Sequence, residues 1–221
     1  MAADRRIDTG NDGRTDSRTD RRTDSRTDRR TVDFWFDPAC PLSRVTASWI
    51  VSVAEQRPID IRWRVMSLSI LNEGKDVDPE GDEEGYLWIP ARVCAAIQTA
   101  YGHAALGRFY DALWTGADGA RREWIGDIAD ALTGAGLPVA LAAAGLGTDH
   151  DAALRASHEE AMSLVVGEVG TPVLAVTHPS GDRHAFFGPV VTETPAPDDA
   201  LRLWDGTLLV TGVPGFREIK T

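Results

Sequence analysis

The chain has 221 residues, 43% of them hydrophobic and 26% charged, which suits one elaborated globular domain or two small ones. A formal net charge of −11 disfavours a nucleic-acid partner, and no run of about 18 apolar residues predicts a helix across a membrane. Two cysteines are too few for a disulfide framework, and the N-terminus lacks the apolar stretch of a secretory signal, so a cytoplasmic location is expected.

The first 31 residues differ from the rest of the chain in composition. Residues 15–31 repeat a four-residue unit of Thr, Asp, Ser and Arg and contain no apolar side chain. Such a segment buries too little surface to offset the entropy of ordering it. We therefore predict a disordered tail over residues 1–31, with a basic interaction arm as the alternative interpretation, and a folded part that begins near Val32.

The folded part opens with a β-α-β unit. The apolar run at residues 32–36 predicts a buried strand, and apolar residues recur at helical spacing from Pro41 to about residue 56. Residues 59–66 alternate between apolar and polar side chains, as a strand does. The connection is long enough to allow the two strands to pair in parallel.

A helix-rich stretch follows this unit. Residues 72–85 are acidic and rich in glycine, which indicates either a solvated surface loop or a flap over an active site. Glycine and proline signals then divide the chain into five predicted helices, at residues 88–101, 104–115, 123–134, 138–144 and 149–166.

Strand patterns return near the C-terminus. Residues 172–177 and 183–187 flank a His-Pro-Ser-Gly-Asp turn, which predicts a hairpin, and a last helix is predicted over residues 198–209. The order β-α-β, helices, β-β-α is an α/β arrangement, that of a thioredoxin-like fold with an all-helical insertion domain. The predicted division of the chain is a thioredoxin-like domain at residues 32–71 and 168–221 and an insertion at residues 72–167.

Cys40 is the strongest candidate for a reacting group. It follows the first strand and precedes Pro41, which suits the first position of a helix, so the thiol is predicted at a helix N-terminus where free N–H groups favour negative charge. The helix dipole alone lowers a thiol pKa by less than about one unit. The backbone N–H groups of Leu42 and Ser43 and the Ser43 hydroxyl are candidate further donors, and we expect a nucleophilic thiolate. The alternative interpretation is a small buried apolar residue.

Ser43 stands where a Cys-x-x-Cys redox motif has its second cysteine. Cys40 therefore has no partner for a disulfide within its own motif. A redox cycle at Cys40 has to be completed by another thiol, most simply a low-molecular-weight thiol from solution.

A second site element is predicted at Thr171-Pro172, at the start of the third strand, where a proline is tolerated. In thioredoxin-like proteins this proline is cis and lies beside the thiol, with the backbone of the preceding residue turned toward the substrate. A trans proline at a strand edge is the alternative.

Six blocks carry a family resemblance, in this order: Asp33-Phe34-Trp35-Phe36-Asp37-Pro38-x-Cys40-Pro41, Val65-Met66-Ser67-Leu68-Ser69-Ile70-Leu71-Asn72-Glu73, Trp88-x-Pro90-x-Arg92-Val93, Ser157-His158, Val169-Gly170-Thr171-Pro172 and Phe186-Phe187-Gly188-Pro189. They resemble the DsbA-type mycothiol-dependent nitroreductases of actinobacteria. The resemblance implies a thioredoxin fold with a helical insertion, a cytosolic location and mycothiol as co-substrate for reducing disulfides or nitro-aromatic compounds. It also implies that Cys40 is the nucleophile and Pro172 the cis-proline. Leu42 and Ser43 depart from the family's Cys-Pro-Trp-Cys motif, which leaves a monothiol cycle.

The remaining candidates are less specific. Pro41, Leu42 and Thr171 flank the thiol and are predicted to bind the substrate. Trp88 and His158 are also predicted to bind it, as candidates for the wall of a cleft between the two domains. Packed or solvent-facing side chains are the alternative for both. Cys94 is expected to be a buried structural thiol rather than a partner of Cys40. The histidines and cysteines show no metal-ligand spacing, so no metal is expected.

Two other functional classes stay open at this point. Kappa-class glutathione transferases combine this fold with a non-Cys-x-x-Cys motif, although serine usually comes first in theirs. A non-catalytic binding protein would keep the fold and lose the redox role together with the second cysteine. Sequence alone also leaves open the electrophilic or disulfide substrate and a homodimer.

Overall fold

The computed structural model describes residues 29–216, and the predicted disordered tail lies outside them except for its last three residues. Within residues 29–216, no helix is long and apolar enough to cross a membrane.

A four-stranded sheet forms the centre of the fold, with the strand order β2-β1-β3-β4. The strands are β1 (Arg30–Phe36), β2 (Ile59–Val65), β3 (Val173–Thr177) and β4 (Arg183–Phe187). The predicted parallel pairing of β1 with β2 and the β3–β4 hairpin are both confirmed. Strand β1 begins two residues before the predicted start at Val32, because Arg30 pairs with Ile59 and its amide donates to Pro58 O at 2.9 Å.

Six α-helices and one 3₁₀ segment surround the sheet in the described part of the chain. They are α1 (Pro41–Ala54), α2 (Leu68–Asn72), α3 (Trp88–Leu113), α4 (Ile128–Gly134), the 3₁₀ segment Val139–Leu146, α5 (Asp151–Leu164) and α6 (Pro197–Thr211). Two helices predicted at residues 88–101 and 104–115 together form α3, which is broken at Gly102 by its φ of 77°. The short helix α2 was not predicted, and α4 begins at Ile128 rather than at residue 123. Asp127 caps α4 by accepting two backbone N–H bonds.

An apolar cluster covers each face of the sheet. Strand β1 contributes to both clusters, because side chains along a strand alternate between the two faces. Phe34 and Phe36 of β1 belong to the large apolar core, which Trp49 of α1 and Trp204 of α6 also enter. Trp35 points into a smaller cluster, in which Ala161 of α5 takes part.

The insertion packs directly against the end of β1. Tyr110 of α3 stacks on Phe36, with ring centroids 3.8 Å apart. The indole Nε1 of Trp114, just beyond α3, donates to Pro38 O at 3.0 Å. One core therefore includes residues from both predicted domains, and the proposed division at residues 72 and 167 stays a prediction.

Candidate active site

Cys40 is the N-cap of α1, as the motif predicts. Its backbone is extended (φ −75°, ψ 115°), Pro41 begins the helix, and the Sγ atom accepts the backbone N–H of Ser43 at 3.4 Å. The residue is only 9% exposed. The thiol thus lies at the predicted helix N-terminus, but little of it reaches solvent.

The expectation of a readily ionised thiol at Cys40 is wrong for the protein in this state. Burial raises the pKa of Cys40 above its ordinary value, and the neighbouring Asp37 carboxylate raises it further, while bonds from the Ser43 side chain and backbone lower it. At a protein surface, a helix N-terminus stabilises a charged group by at most about 1 kcal/mol, which is less than about one pKa unit. Burial shifts a pKa by up to about 3–5 units. The local sequence shows the helix start but does not show how much of the sulfur is covered.

Ser43 and Thr171 form a buried hydroxyl pair behind the sulfur. Their Oγ and Oγ1 atoms are 2.8 Å apart, and Thr171 Oγ1 also accepts the backbone N–H of Asp37 at 3.0 Å. The Thr171–Pro172 peptide bond is cis, as the resemblance implied. Sequence reasoning assigned Thr171 a role through its backbone; the structure adds its hydroxyl, which joins the start of α1 to the loop after β1.

Asp37 is the site residue that sequence reasoning missed. It is fully buried, and its Oδ1 and Oδ2 atoms accept the backbone N–H groups of Ala39 and Leu68, each at 2.8 Å. Burial raises its pKa to about 7, although the backbone bonds from Leu68 and Ala39 oppose the shift. An aspartate directly before a proline at the end of a strand is a turn signal that could have drawn attention to it.

Trp88 lies in a hollow of about 300 Å³ that Cys40 does not line. Most of the lining side chains are carboxylic acids; the lining residues are Ser69, Asn72, Glu73, Asp78, Asp82, Glu83, Glu84, Gly85 and Trp88. Two arginines flank the indole ring, Arg92 at 4.9 Å and Arg155 at 5.4 Å from its centroid. The hollow that Trp88 lines thus does not include the thiol, and the part of Trp88 in substrate binding stays a prediction.

His158 and Cys94 are both packed in the interior. His158 is 5% exposed, and its Nδ1 atom accepts the backbone N–H of Ser67 at 3.3 Å. Burial lowers the pKa of His158, so its neutral form accepts this bond. Cys94 is fully buried in α3, as expected of a structural thiol, and burial raises its pKa well above the ordinary value. Cys40 and Cys94 are both free thiols.

Pro41 and Leu42 lie on the solvent side of the thiol. Both are exposed, Leu42 by 41%. They can meet a molecule that approaches Cys40, but their role in binding it stays a prediction. Within residues 29–216, no three His, Cys, Asp or Glu side chains are placed to hold a metal ion.

Residues 39–221, which include Cys40, Ser43 and the cis-proline, match the family model described as mycothiol-dependent nitroreductase Rv2466c. The chain belongs to this family. The resemblance carried by the sequence motifs is thereby confirmed.

One curated relative and two solved structures illustrate what the chain is similar to. The uncharacterized protein Rv2286c of Mycobacterium tuberculosis is 33% identical over 201 residues, which cover 86% of this chain and 81% of the relative. A crystal structure of a candidate protein disulfide isomerase from Nitrosomonas europaea aligns with 84% of this chain and 100% of that one, at 14% identity and a TM-score of 0.50. The cytosolic disulfide reductase DsbM of Pseudomonas aeruginosa aligns with 81% of this chain and 98% of its own, at 18% identity and a TM-score of 0.47. The likeness to the Nitrosomonas structure supports the predicted thioredoxin-like fold with a helical insertion.

Proposed function

We propose that this chain is a monothiol oxidoreductase in which Cys40 exchanges mixed disulfides with mycothiol. The observation that carries the proposal is the position of Ser43. It occupies the place of a resolving cysteine, is fully buried, and directs its backbone N–H to Cys40 Sγ at 3.4 Å. A family named for mycothiol dependence supports the identity of the soluble thiol.

The proposed substrate is a mixed disulfide between mycothiol and a second thiol compound. The Cys40 thiolate attacks the mycothiol sulfur, the substrate S–S bond breaks, and the released thiolate takes up a proton to become a thiol. A second mycothiol thiolate then attacks the mycothiol sulfur bound to Cys40, which forms mycothiol disulfide and restores the Cys40 thiolate. The substrate thiol is reduced, and two mycothiol units leave as one disulfide.

The hydroxyl pair supports the thiolate in this cycle. Thr171 Oγ1 already accepts the N–H of Asp37, so its own hydrogen is available to Ser43 Oγ, 2.8 Å away. The Ser43 hydrogen can then turn to the sulfur, and the Ser43 side chain does lower the pKa of Cys40. The cis-proline loop thereby acts on the thiol through the Ser43 hydroxyl. The monothiol site keeps a donor where a resolving cysteine would stand.

The raised pKa of Cys40 affects the expected rates of both exchange steps. A thiol of high pKa is a strong nucleophile once ionised but a poor leaving group. The first attack is therefore limited by the small thiolate fraction. The second attack has to expel Cys40, so we expect the mixed disulfide with mycothiol to be long-lived and to accumulate.

Exposure to oxidised mycothiol followed by mass spectrometry of the intact protein and its peptides tests the proposal. One adduct is expected, on Cys40, and it should disappear when reduced mycothiol is added. Cys40→Ser should form no adduct, while the unaltered Cys94 serves as the internal control because it is fully buried. An adduct that reduced mycothiol cannot remove would contradict the cycle, and the absence of any adduct would favour the non-catalytic binding protein.

The kappa-class alternative is not favoured by the geometry. Its serine usually comes first in the motif, at the start of the helix. Here the cysteine is the N-cap of α1. Ser43 lies in the first turn of that helix and is fully buried.

A further inference from the structure

We propose that Asp37 is a positioning residue: its buried carboxylate, bonded to the loop that carries Cys40, opposes a second negative charge on the sulfur, so that proton uptake by Asp37 accompanies ionisation of the sulfur. The proposal rests on the proposed function only in taking Cys40 as the reacting thiol.

All four polar groups of Asp37 form hydrogen bonds with neighbouring segments of the fold. Its N–H donates to Thr171 Oγ1, and its C=O accepts the N–H of Cys40 at 3.3 Å. Its carboxylate accepts the N–H of Ala39, within the loop that carries the thiol, and that of Leu68, at the first turn of α2. The side chain therefore joins the loop before α1 to the corner between β2 and α2.

The carboxylate and the thiol compete for negative charge in one buried region. Each charged form loses its hydration there, and a second negative charge adds repulsion to that cost. Consistent with this, burial raises the pKa of Asp37 to about 7, and the Asp37 charge raises the pKa of Cys40. The two groups are therefore expected to titrate as a coupled pair.

Other titratable groups face this pair from four elements. They are Glu80 in the acidic loop, Cys94 and Tyr110 on α3, Arg44 on α1, and His158 on α5, which reaches the β2–α2 corner through Ser67. Glu80 raises the pKa of Asp37, whereas the Arg44 guanidinium is paired with Asp111 at 2.8 Å. Burial raises the pKa of Cys94 and Tyr110 and lowers that of His158. Within this set, burial raises the pKa of the Asp37 carboxyl to about 7.

The proton balance is simple. Transfer of one proton from Cys40 Sγ to the Asp37 carboxylate leaves a thiolate and a neutral carboxylic acid, so the pair keeps one negative charge. Direct loss of the thiol proton while Asp37 stays ionised puts two charges in the same region. The two singly charged forms, thiolate with neutral Asp37 and thiol with ionised Asp37, hold the same number of protons, so their ratio does not depend on pH. The first route therefore predicts an intermediate range of pH in which the thiolate fraction stays constant.

The pH dependence of Cys40 alkylation tests the proposal on the unaltered protein. Iodoacetamide labelling, followed by peptide mass spectrometry, should give a rate that rises with pH, levels off near pH 7 over about one pH unit, and then rises again. Asp37→Asn should remove the level section and make labelling roughly tenfold faster above it. Glu80→Gln should move the level section to lower pH.

Asp33→Asn is the matched control, because Asp33 is a second buried carboxylate of the same segment. Its carboxylate is paired with two arginines, Arg64 and Arg183, whereas the Asp37 carboxylate accepts only backbone N–H groups among the bonds described here. This variant should keep the level section. A single unbroken rise in the unaltered protein, or an Asp37→Asn profile that matches it, would overturn the proposal. The pH profile of labelling does not depend on turnover. A level section in a protein that forms no mycothiol adduct would therefore contradict the proposed function but not the role of Asp37.

Discussion

Replacing Ser43 by alanine should make Cys40 a weaker acid and a slower nucleophile. The Ser43 hydroxyl is buried beside Thr171, and its bond to the sulfur lowers the pKa of Cys40. Alanine keeps the backbone N–H that donates to Sγ at 3.4 Å, so the substitution removes the hydroxyl alone. The cavity left by one oxygen atom is small, and Thr171 Oγ1 retains the N–H of Asp37 as a partner.

The size of the effect follows from the bond that is lost. A hydrogen bond to a charged group contributes about 1.5–3 kcal/mol, which corresponds to a rise of about one to two units in the pKa of Cys40. The thiolate fraction at neutral pH falls by roughly ten- to hundredfold, but the thiolate of higher pKa is intrinsically more reactive. The net rate of alkylation should therefore fall by about three- to tenfold. Stability should change by only about 1 kcal/mol, because the thiol is neutral in the resting protein.

The assay is the rate of iodoacetamide labelling of Cys40 as a function of pH, together with unfolding in urea. Ser48→Ala is the matched control: it is the same substitution in α1, and its hydroxyl donates to the carbonyl of Arg44 at 3.2 Å. The control should label Cys40 at the unaltered rate. Labelling of Cys40 in Ser43→Ala that is as fast as in the control, at equal stability, would refute the role given to this hydroxyl.

Three further predictions concern the same site. Thr171→Val should slow Cys40 labelling and destabilise the fold by about 1–3 kcal/mol, because it leaves the buried N–H of Asp37 without a partner; Thr171→Ser should restore both in the same assays. Ser43→Cys should prevent the mycothiol adduct from accumulating, because the new thiol can displace mycothiol from Cys40. An adduct that persists in mass spectra of this variant would contradict the monothiol hypothesis. For Asp37→Asn, the free energy of unfolding in urea should be compared with that of the unaltered protein at several pH values. The difference should shift in favour of the variant by up to roughly 4 kcal/mol between about pH 4 and about pH 8. The folded-state pKa of Asp37 is raised from 3.8 to about 7, so the native protein binds the extra proton and loses stability as pH rises through that window; an unchanged difference would contradict the buried carboxyl.

The fold could be predicted because its signals are local. Alternating or apolar runs give the strands, and Pro41 after Cys40 marks the start of α1. The errors lie where local signals compete or are short. Residues 123–127 have helix-compatible composition, yet Asp127 starts α4 only at Ile128 because its side chain accepts two N–H groups there. Helix α2 has only five residues, too few for a periodic pattern.

The site could be predicted only in part for a related reason. Cys40, Ser43 and Pro172 are found from spacing within motifs, since each motif is a continuous piece of chain. The contact of Ser43 with Thr171 spans 128 positions, and the bond of Asp37 to Leu68 spans 31. No local pattern reports such contacts.

Sequence by itself determined the order of the strands and of the longer helices, the family, the thiol at a helix N-terminus and the absence of a second motif cysteine, because these depend on neighbouring residues. Only the tertiary structure decided how acidic that thiol is. The pKa of Cys40 depends on how packing covers the sulfur and on which charges packing brings near it, and burial beside Asp37 outweighs the helix terminus that the motif reveals.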